Sequence, residues 1–274
     1  MTVNRTKGTG AVEQRTIADS FDAFFFDLDG VVYIGRNPTP RAPETLRELR
    51  SRGKRLRFLT NNPSVSREGI AARLNRMGVD AFPEEVFTAA RATAIYAGSE
   101  GLKRPMILGG DALLDECREA GLDVRLTGDG SGWDAVIVGW ADAITMRDVR
   151  EACIAIREGA RFIATNADRT YPSERGPLPA VGVLVEALKI ATGREPHVVG
   201  KPSPDMFRQA LATLPSGTRC VMVGDTPEID VVGAHAAGIP AILMGTAIIP
   251  AANAFGPEVR IMELPELLRI PLDA

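Results

Sequence analysis

Phe24-Phe25-Phe26-Asp27-Leu28-Asp29-Gly30 is an apolar run that ends abruptly at two carboxylates two residues apart and then at a glycine. Interior strands of a parallel sheet are buried on both faces, so they read as continuous apolar stretches, and ligands bind just beyond their C-terminal ends. The run therefore predicts a central strand that delivers Asp27 and Asp29 to the carboxyl edge of an open sheet. Residues i and i+2 of a strand share a face, so the two acids point the same way.

The chain continues in an alternating rhythm. Pro43 to Arg52 reads as a helix with Pro near its start, Leu46 and Leu49 on one face and Gly53 as its stop. A second buried strand, Leu56 to Leu59, runs into Thr60-Asn61-Asn62-Pro63. Ser66 then caps a helix carrying Ile70, Leu74 and Met77, which Gly78 ends. Strand-helix alternation of this kind predicts a parallel α/β sheet. Further apolar runs at 106–108, 135–138, 161–164, 220–223 and 241–244 are too many for one compact sheet. Gly128 to Gly132 leads into a strand instead of opening a helix, so it reads as a plain turn and not a phosphate loop.

Composition narrows the function classes. With 274 residues and 45% hydrophobic content the chain can bury one large core or two moderate ones. A net charge of −3 with dispersed Lys and Arg gives no general attraction to a nucleic acid polymer or an anionic membrane. No stretch approaches the roughly 20 apolar residues of a membrane span. Cys117, Cys153 and Cys220 form neither a disulfide framework nor a zinc pattern, which fits a reducing cytoplasm. His197 and His235 lack a nucleophile motif and read as structural or surface groups. Residues 1–19 read as a loose tail.

Three further strand ends repeat the opening pattern: Thr60-Asn61-Asn62, Gly200-Lys201-Pro202, and Gly224-Asp225-Thr226-Pro227-Glu228-Ile229-Asp230. If these strands are neighbours, Asp27, Asp29, Thr60, Lys201 and Asp225 converge on one crevice. Carboxylates held close together repel unless a cation joins them, and hard oxygen donors without Cys or His suit Mg²⁺. A lysine beside them neutralises phosphate oxygens, and one carboxylate is left to attack. The chemistry this predicts is phosphoryl transfer.

The ordered set DxD, Thr, Lys and acidic pair resembles the phosphatases of the haloacid dehalogenase superfamily over nearly the whole chain after Ser20. The resemblance implies Asp27 as nucleophile, Asp29 as general acid/base, and Thr60, Asn61 and Lys201 on the phosphoryl group. It also implies Mg²⁺ held by Asp27, the Asp29 carbonyl, Asp225 and Asp230; Ile229 stands where a Thr is common. About 140 residues separate Thr60 from Lys201, room for a further domain. The resemblance is thus to the NagD-like, p-nitrophenyl phosphatase branch, with a Rossmann-like three-layer core at 20–88 and 184–274 and an α/β cap inserted at 89–183. Segments 89–98 and 181–191 are expected to cross between the two. Thr165 to Asp168 and Gly176 to Gly182 resemble that branch's junction stretches, with Ala180 in place of a usual Gly.

A closing cap excludes water and reads the leaving group, so Asn166, Asp168, Arg169 and Trp140, each just after an apolar strand, are candidate substrate contacts. The branch implies small phosphorylated metabolites of the nucleotide, sugar, glycerol, glycolate or pyridoxal phosphate type, and homodimers formed through the cap. Two alternatives stand beside this reading: a metal-free dehalogenase, which leaves Asp29, Asp225 and Asp230 unexplained, and a non-catalytic receiver-like phosphate-binding module, which leaves the inserted domain unexplained.

Overall fold

The computed structural model describes residues 15–126, 132–171, 173, 175–249 and 256–272. In chain order its helices are α1 (Ile17–Ser20), α2 (Ala42–Ser51), α3 (Arg67–Arg76), α4 (Ala89–Ser99), α5 (Asp111–Glu119), α6 (Met146–Arg157), α7 (Val181–Thr192), α8 (Pro204–Ala212) and α9 (Val232–Ala236). The strands begin with β1 (Ala23–Asp27), β2 (Tyr33–Ile34), β3 (Asn37–Pro38), β4 (Arg55–Thr60), β5 (Val86–Thr88), β6 (Pro105–Leu108), β7 (Arg125–Leu126) and β8 (Ala135–Val138). They continue with β9 (Arg161–Ala164), β10 (Thr170–Tyr171), β11 (Leu178–Pro179), β12 (His197–Val198), β13 (Cys220–Gly224), β14 (Ala241–Met244) and β15 (Val259–Ile261).

Two parallel sheets organise these elements. The first has the order β15-β14-β13-β1-β4-β5 and the second β12-β9-β8-β6-β7; β2–β3 and β10–β11 are short antiparallel hairpins. β1 is central, pairing in parallel with β13 on one side and β4 on the other. Its three phenylalanines are fully buried. Phe24 and Phe26 pack on one face with Leu46, Leu49, Ile70 and Leu74 of α2 and α3. Phe25 packs on the other with α4, Phe207 of α8 and Ala234 of α9. Burying a Phe is worth about 1.5–3 kcal/mol, so this strand is the anchor of the sheet that presents Asp27.

The α4 layer is shared. Its alanines pack on Phe25 and Leu59 of the first sheet, and the same cluster holds Leu113 and Cys117 of α5 with Ile107, Ile137 and Ile163 of the second sheet. The small side chains of this helix let both neighbours approach. The outer face of the second sheet is covered by α6 and α7, through Ala152, Ile156, Val185 and Leu188.

The predicted helices form as read: Leu46 and Leu49 are buried in α2, and the Ser66 hydroxyl caps α3 by accepting from Gly69 N at 3.2 Å. Two expectations differ from the structure. Residues 16–20 are not loose: Ile17 is fully buried and its N–H bonds Ile270 O at 2.9 Å, because its side chain completes the core beneath α2. The rest of the expected tail, 1–14, and all but Gly132 of the turn read at 128–132 lie outside the described residues. The 183/184 boundary falls within α7, which stays on the second sheet because Val185 and Leu188 need α6 as their apolar partner. β12 then pairs with β9, so the chain leaves the second sheet only after Val198.

Candidate active site

The site lies where β1 and β13 end side by side. Gly224 closes β13, and the wide turn Pro227–Val231 folds Asp230 back beneath it, with Asp230 N bonding Thr226 O at 2.8 Å. Only glycine permits this approach: a Cβ on Gly224 would sit 2.2 Å from the Asp230 Cβ. The same holds across the crevice. Gly30 has φ +90° and a Cβ there would meet Asp225 Oδ2 at 2.1 Å, so the glycine after the two acids sets how near Asp225 comes to the end of β1. β4 delivers Thr60, buried, whose hydroxyl accepts from Asn62 N at 3.2 Å.

Lys201 is the hub. Its buried ammonium donates to Asp27 Oδ1 at 2.6 Å, to Asp230 Oδ1 at 2.7 Å and, more weakly, to Leu59 O at 3.4 Å. Asp230 Oδ2 accepts from the N–H groups of Asp225 and Thr226 at 3.2 and 3.1 Å. Both oxygens of Asp230 are thus engaged, and it braces Lys201 and the turn. Asp27 and Asp225 each keep an oxygen without a protein donor among the described residues.

Charge does not balance within this cluster. One ammonium faces three carboxylates, Asp27, Asp225 and Asp230, whose ligand atoms lie within 4.8 Å of one another. Burial, against the pull of Lys201 and with Asp230 adding repulsion, pushes the Asp27 carboxyl well above the usual carboxylate range. Burial and the neighbouring Asp230 raise Asp225 as well, and burial raises Asp29. The two carboxylates hold Lys201 firmly protonated, although burial alone would lower it. A divalent cation held by these carboxylates would remove the deficit, and an all-oxygen donor set without Cys or His fits Mg²⁺. The Asp29 carbonyl, the further ligand expected from sequence, belongs to the tight turn that follows β1.

From the second sheet, the loop after β9 reaches this floor. Asn166 is buried and its Nδ2 donates to Asn61 O at 2.6 Å. Asn61 Nδ2 in turn donates to the Asp168 carboxylate at 3.1 and 3.2 Å and to Lys201 O at 2.9 Å. A carboxylate and a carbonyl both demand donors, which fixes the amide orientation. Asn61 is expected on the phosphate through its backbone or its side chain; the side chain links the two sheets, since both amide hydrogens face these acceptors, which leaves the backbone N–H for that role. Gly200 N bonds Thr165 O at 2.8 Å and closes the junction.

The remaining cap candidates diverge. Asp168 lies at the junction, with its carboxyl raised by burial. The Asn166 side chain holds the loop, bonding Asn61 O and accepting from Asp168 N at 3.1 Å. The Arg169 side chain is exposed, while its carbonyl accepts from Ala180 N. Trp140 packs against the α6–α7 side of the second sheet and its indole N–H bonds Asp142 Oδ1 at 3.1 Å, so no contact brings it to the acids. His197 and His235 pair with Asp205 and Glu258, away from the crevice.

Comparison with known proteins decides the family. Residues 24–123 match the family model described as haloacid dehalogenase-like hydrolase, and residues 198–261 match a second hydrolase model of the same superfamily. A D-glycerol 3-phosphate phosphatase from Mycobacterium tuberculosis is 40% identical over 88% of this chain and 67% of its own length. The chain belongs to the haloacid dehalogenase-like hydrolases. The 5'-nucleotidase YutF of Bacillus subtilis is 34% identical over 84% of this chain and 87% of its own. Among solved structures, the M. tuberculosis glycerol phosphate phosphatase Rv1692 in complex with magnesium superposes with a TM-score of 0.86 at 35% identity, covering 93% of this chain and 79% of that one. NagD from Escherichia coli K-12 gives 0.82 at 30% identity, covering 89% and 97%. The NagD-like branch and the capped α/β architecture expected from sequence are those of its structural neighbours.

In this hydrolase, two groups escaped the sequence reading, one beside the acids and one between helices. Tyr33 donates its hydroxyl to Asp29 Oδ2 at 3.2 Å, and its only sequence signal is a position four residues beyond the acid. Arg67 of α3 is buried and bonds Glu116 of α5 at 2.6 Å, joining the two sheets' helices; isolated charges on two amphipathic helices carry no signal that they meet.

Proposed function

We propose that this hydrolase cleaves small phosphate monoesters with Mg²⁺, through an aspartyl-phosphate on Asp27. The observation that carries the reading is the Lys201 ammonium set between Asp27 and Asp230 and beside Asp225, at the ends of two adjacent parallel strands. Lys201 fixes the Asp27 carboxylate and offers positive charge to phosphoryl oxygens, leaving the other Asp27 oxygen to attack phosphorus. Thr60, at the end of the neighbouring strand, supplies a hydroxyl to the same group. Asp29 donates a proton to the departing oxygen and recovers one from the water that hydrolyses the acyl phosphate. Held by Asp27, the Asp29 carbonyl, Asp225 and Asp230, Mg²⁺ would supply charge neutralisation for the phosphoryl oxygens.

The substrate class that fits best is a small phosphate monoester of the glycerol or nucleotide type, in line with the activities named for the relatives above. The linked loop Thr165 to Asp168 forms the wall nearest the crevice and is where the leaving group meets the second sheet. Homodimerisation belongs to the same reading: Met146 of α6 and Ile190 of α7 are 78% and 85% exposed on the outer helices of the second sheet, where a second copy would cover them. Three free cysteines and no described helix long and apolar enough to cross a membrane support a cytoplasmic site of action.

The test is Mg²⁺-dependent phosphate release from p-nitrophenyl phosphate and from a panel of alkyl phosphates. Asp27→Asn abolishes it on this account. Undiminished turnover by that variant, or full activity after chelation, would remove the proposal.

A further inference from the structure

The turn that follows the two acids carries a group placed to aim one of them. Gly30 N bonds Tyr33 O at 2.8 Å, and Val32 N and Tyr33 N both bond Leu28 O, at 2.9 and 3.1 Å. The Thr39 hydroxyl fastens the same turn by donating to Val31 O at 2.6 Å. The chain is thereby folded back so that the Tyr33 hydroxyl reaches Asp29 Oδ2 at 3.2 Å. Its ring is 3% exposed and lies under the Arg73 guanidinium, 4.1 Å from its centroid, and Arg73 is itself tied to Gly35 O. Tyr33 therefore has one place to put its hydroxyl.

Asp29 differs from the other acids of the cluster in opening toward solvent, and its Oδ1 has no protein partner among the described residues. We propose that Tyr33 is the positioning residue for Asp29: its O–H holds Oδ2 as an acceptor, so that the proton of the neutral carboxylic acid resides on Oδ1, the oxygen free to meet the leaving group. The inference rests on the reading of Asp29 as general acid. In the first half-reaction an Asp27 oxygen forms a bond to phosphorus, the phosphorus–alkoxide bond breaks, and the Oδ1 proton passes to the departing oxygen, giving alcohol, aspartyl-phosphate and ionised Asp29. In the second, water attacks phosphorus, its proton returns to Oδ1, and the Asp27 carboxylate and inorganic phosphate are released.

Leaving groups separate this role from a structural one. An alkoxide needs the proton, whereas p-nitrophenolate departs as a stable anion, and kcat/KM reports only the steps through loss of the leaving group. Tyr33→Phe, which keeps the ring under Arg73, is expected to lower the ratio of kcat/KM for an alkyl phosphate to that for p-nitrophenyl phosphate by about tenfold. Asp29→Asn should lower the same ratio further, and adding Tyr33→Phe to it should lower the ratio no more. A ratio unchanged in Tyr33→Phe, or an added fall in the Asp29→Asn background, overturns the proposal. Should Tyr33→Phe fail to give a native circular dichroism spectrum, Arg73→Gln, which releases the ring, is expected to lower the ratio in the same direction, and no change there overturns it equally. Wild-type and Asp27→Asn controls distinguish the two levels. Asp27-dependent turnover with an unmoved ratio removes only the role of Tyr33, while absence of Asp27-dependent turnover removes the phosphatase reading and this inference with it.

Discussion

Gly30 shows how much of the chemistry depends on an atom that is missing. Its φ of +90° and the Asp225 oxygen 2.1 Å from where a Cβ would stand mean that Gly30→Ala must separate the ends of β1 and β13. A displacement of about 1 Å in a catalytic arrangement can cost ~100-fold in rate. Gly30→Ala is therefore expected to fold, judged by circular dichroism, and to lose ~100-fold in kcat/KM; near wild-type activity would show that the two strand ends need not touch. Asp22 offers a contrasting case at the opposite edge of the sheet. Bonds from the Arg219 side chain and backbone N–H lower its carboxyl from 3.8 to about 2. A depressed carboxyl contributes stability above its unfolded value and loses it as pH falls through the folded one. The difference in urea midpoint between wild type and Asp22→Asn should thus be full above pH 3.8 and shrink toward pH 2, and because the pair is exposed it should be small. A difference that grows on acidification would contradict the assignment.

Among the elements, α3 connects the phosphate station to the cap. Its Ser66 cap and buried Ile70 and Leu74 were legible in the sequence because capping and 3.6-residue periodicity are local signals. The contacts of Arg67 and Arg73 were not, since what they do depends on partners distant in the chain. Arg67 reaches Glu116 on α5, with both side chains about nine-tenths buried, and a second arm to Glu119 is open to solvent. Breaking a buried pair leaves an uncompensated charge and costs about 3–5 kcal/mol, while exposed pairs contribute little. Arg67→Met is expected to lower unfolding free energy by about 3 kcal/mol in urea titrations, and Glu119→Gln by less than about 1 kcal/mol. Equal effects would mean that burial does not govern this contact. The short β12 was similarly hidden: two residues carry no period, and only its pairing with β9 reveals that the second sheet extends to Val198.

At the scale of the whole molecule, the positions of three motif stations were readable because parallel strands are largely apolar and stop sharply at polar residues: Asp27, Thr60 and Asp225 end or directly follow neighbouring strands of the first sheet. Lys201 differs from the expectation that its strand neighbours β1, since it follows β12 of the second sheet and reaches Asp27 from there. What the rule does not encode is which side chains cross between the sheets, and Asn61 illustrates the cost: it follows Thr60 in sequence yet faces Asp168 in space. Asn61 and Asp168 form one coupled link between floor and wall. In a double-mutant cycle of Asn61→Ala and Asp168→Ala, read by kcat/KM, their coupling is expected at about 1 kcal/mol, in the range for residues in direct contact. Strict additivity would place Asp168 outside the link.

Phosphorylation of the carboxylate that ends β1 is the step on which the proposed reaction depends. Single-turnover reaction with an alkyl phosphate and Mg²⁺, quenched in acid and digested for mass spectrometry, is its test. A phosphoryl group is expected on the peptide containing Asp27, labile to hydroxylamine and absent in Asp27→Asn. A phosphoryl group on any other residue, or full turnover in Asp27→Asn, would contradict it.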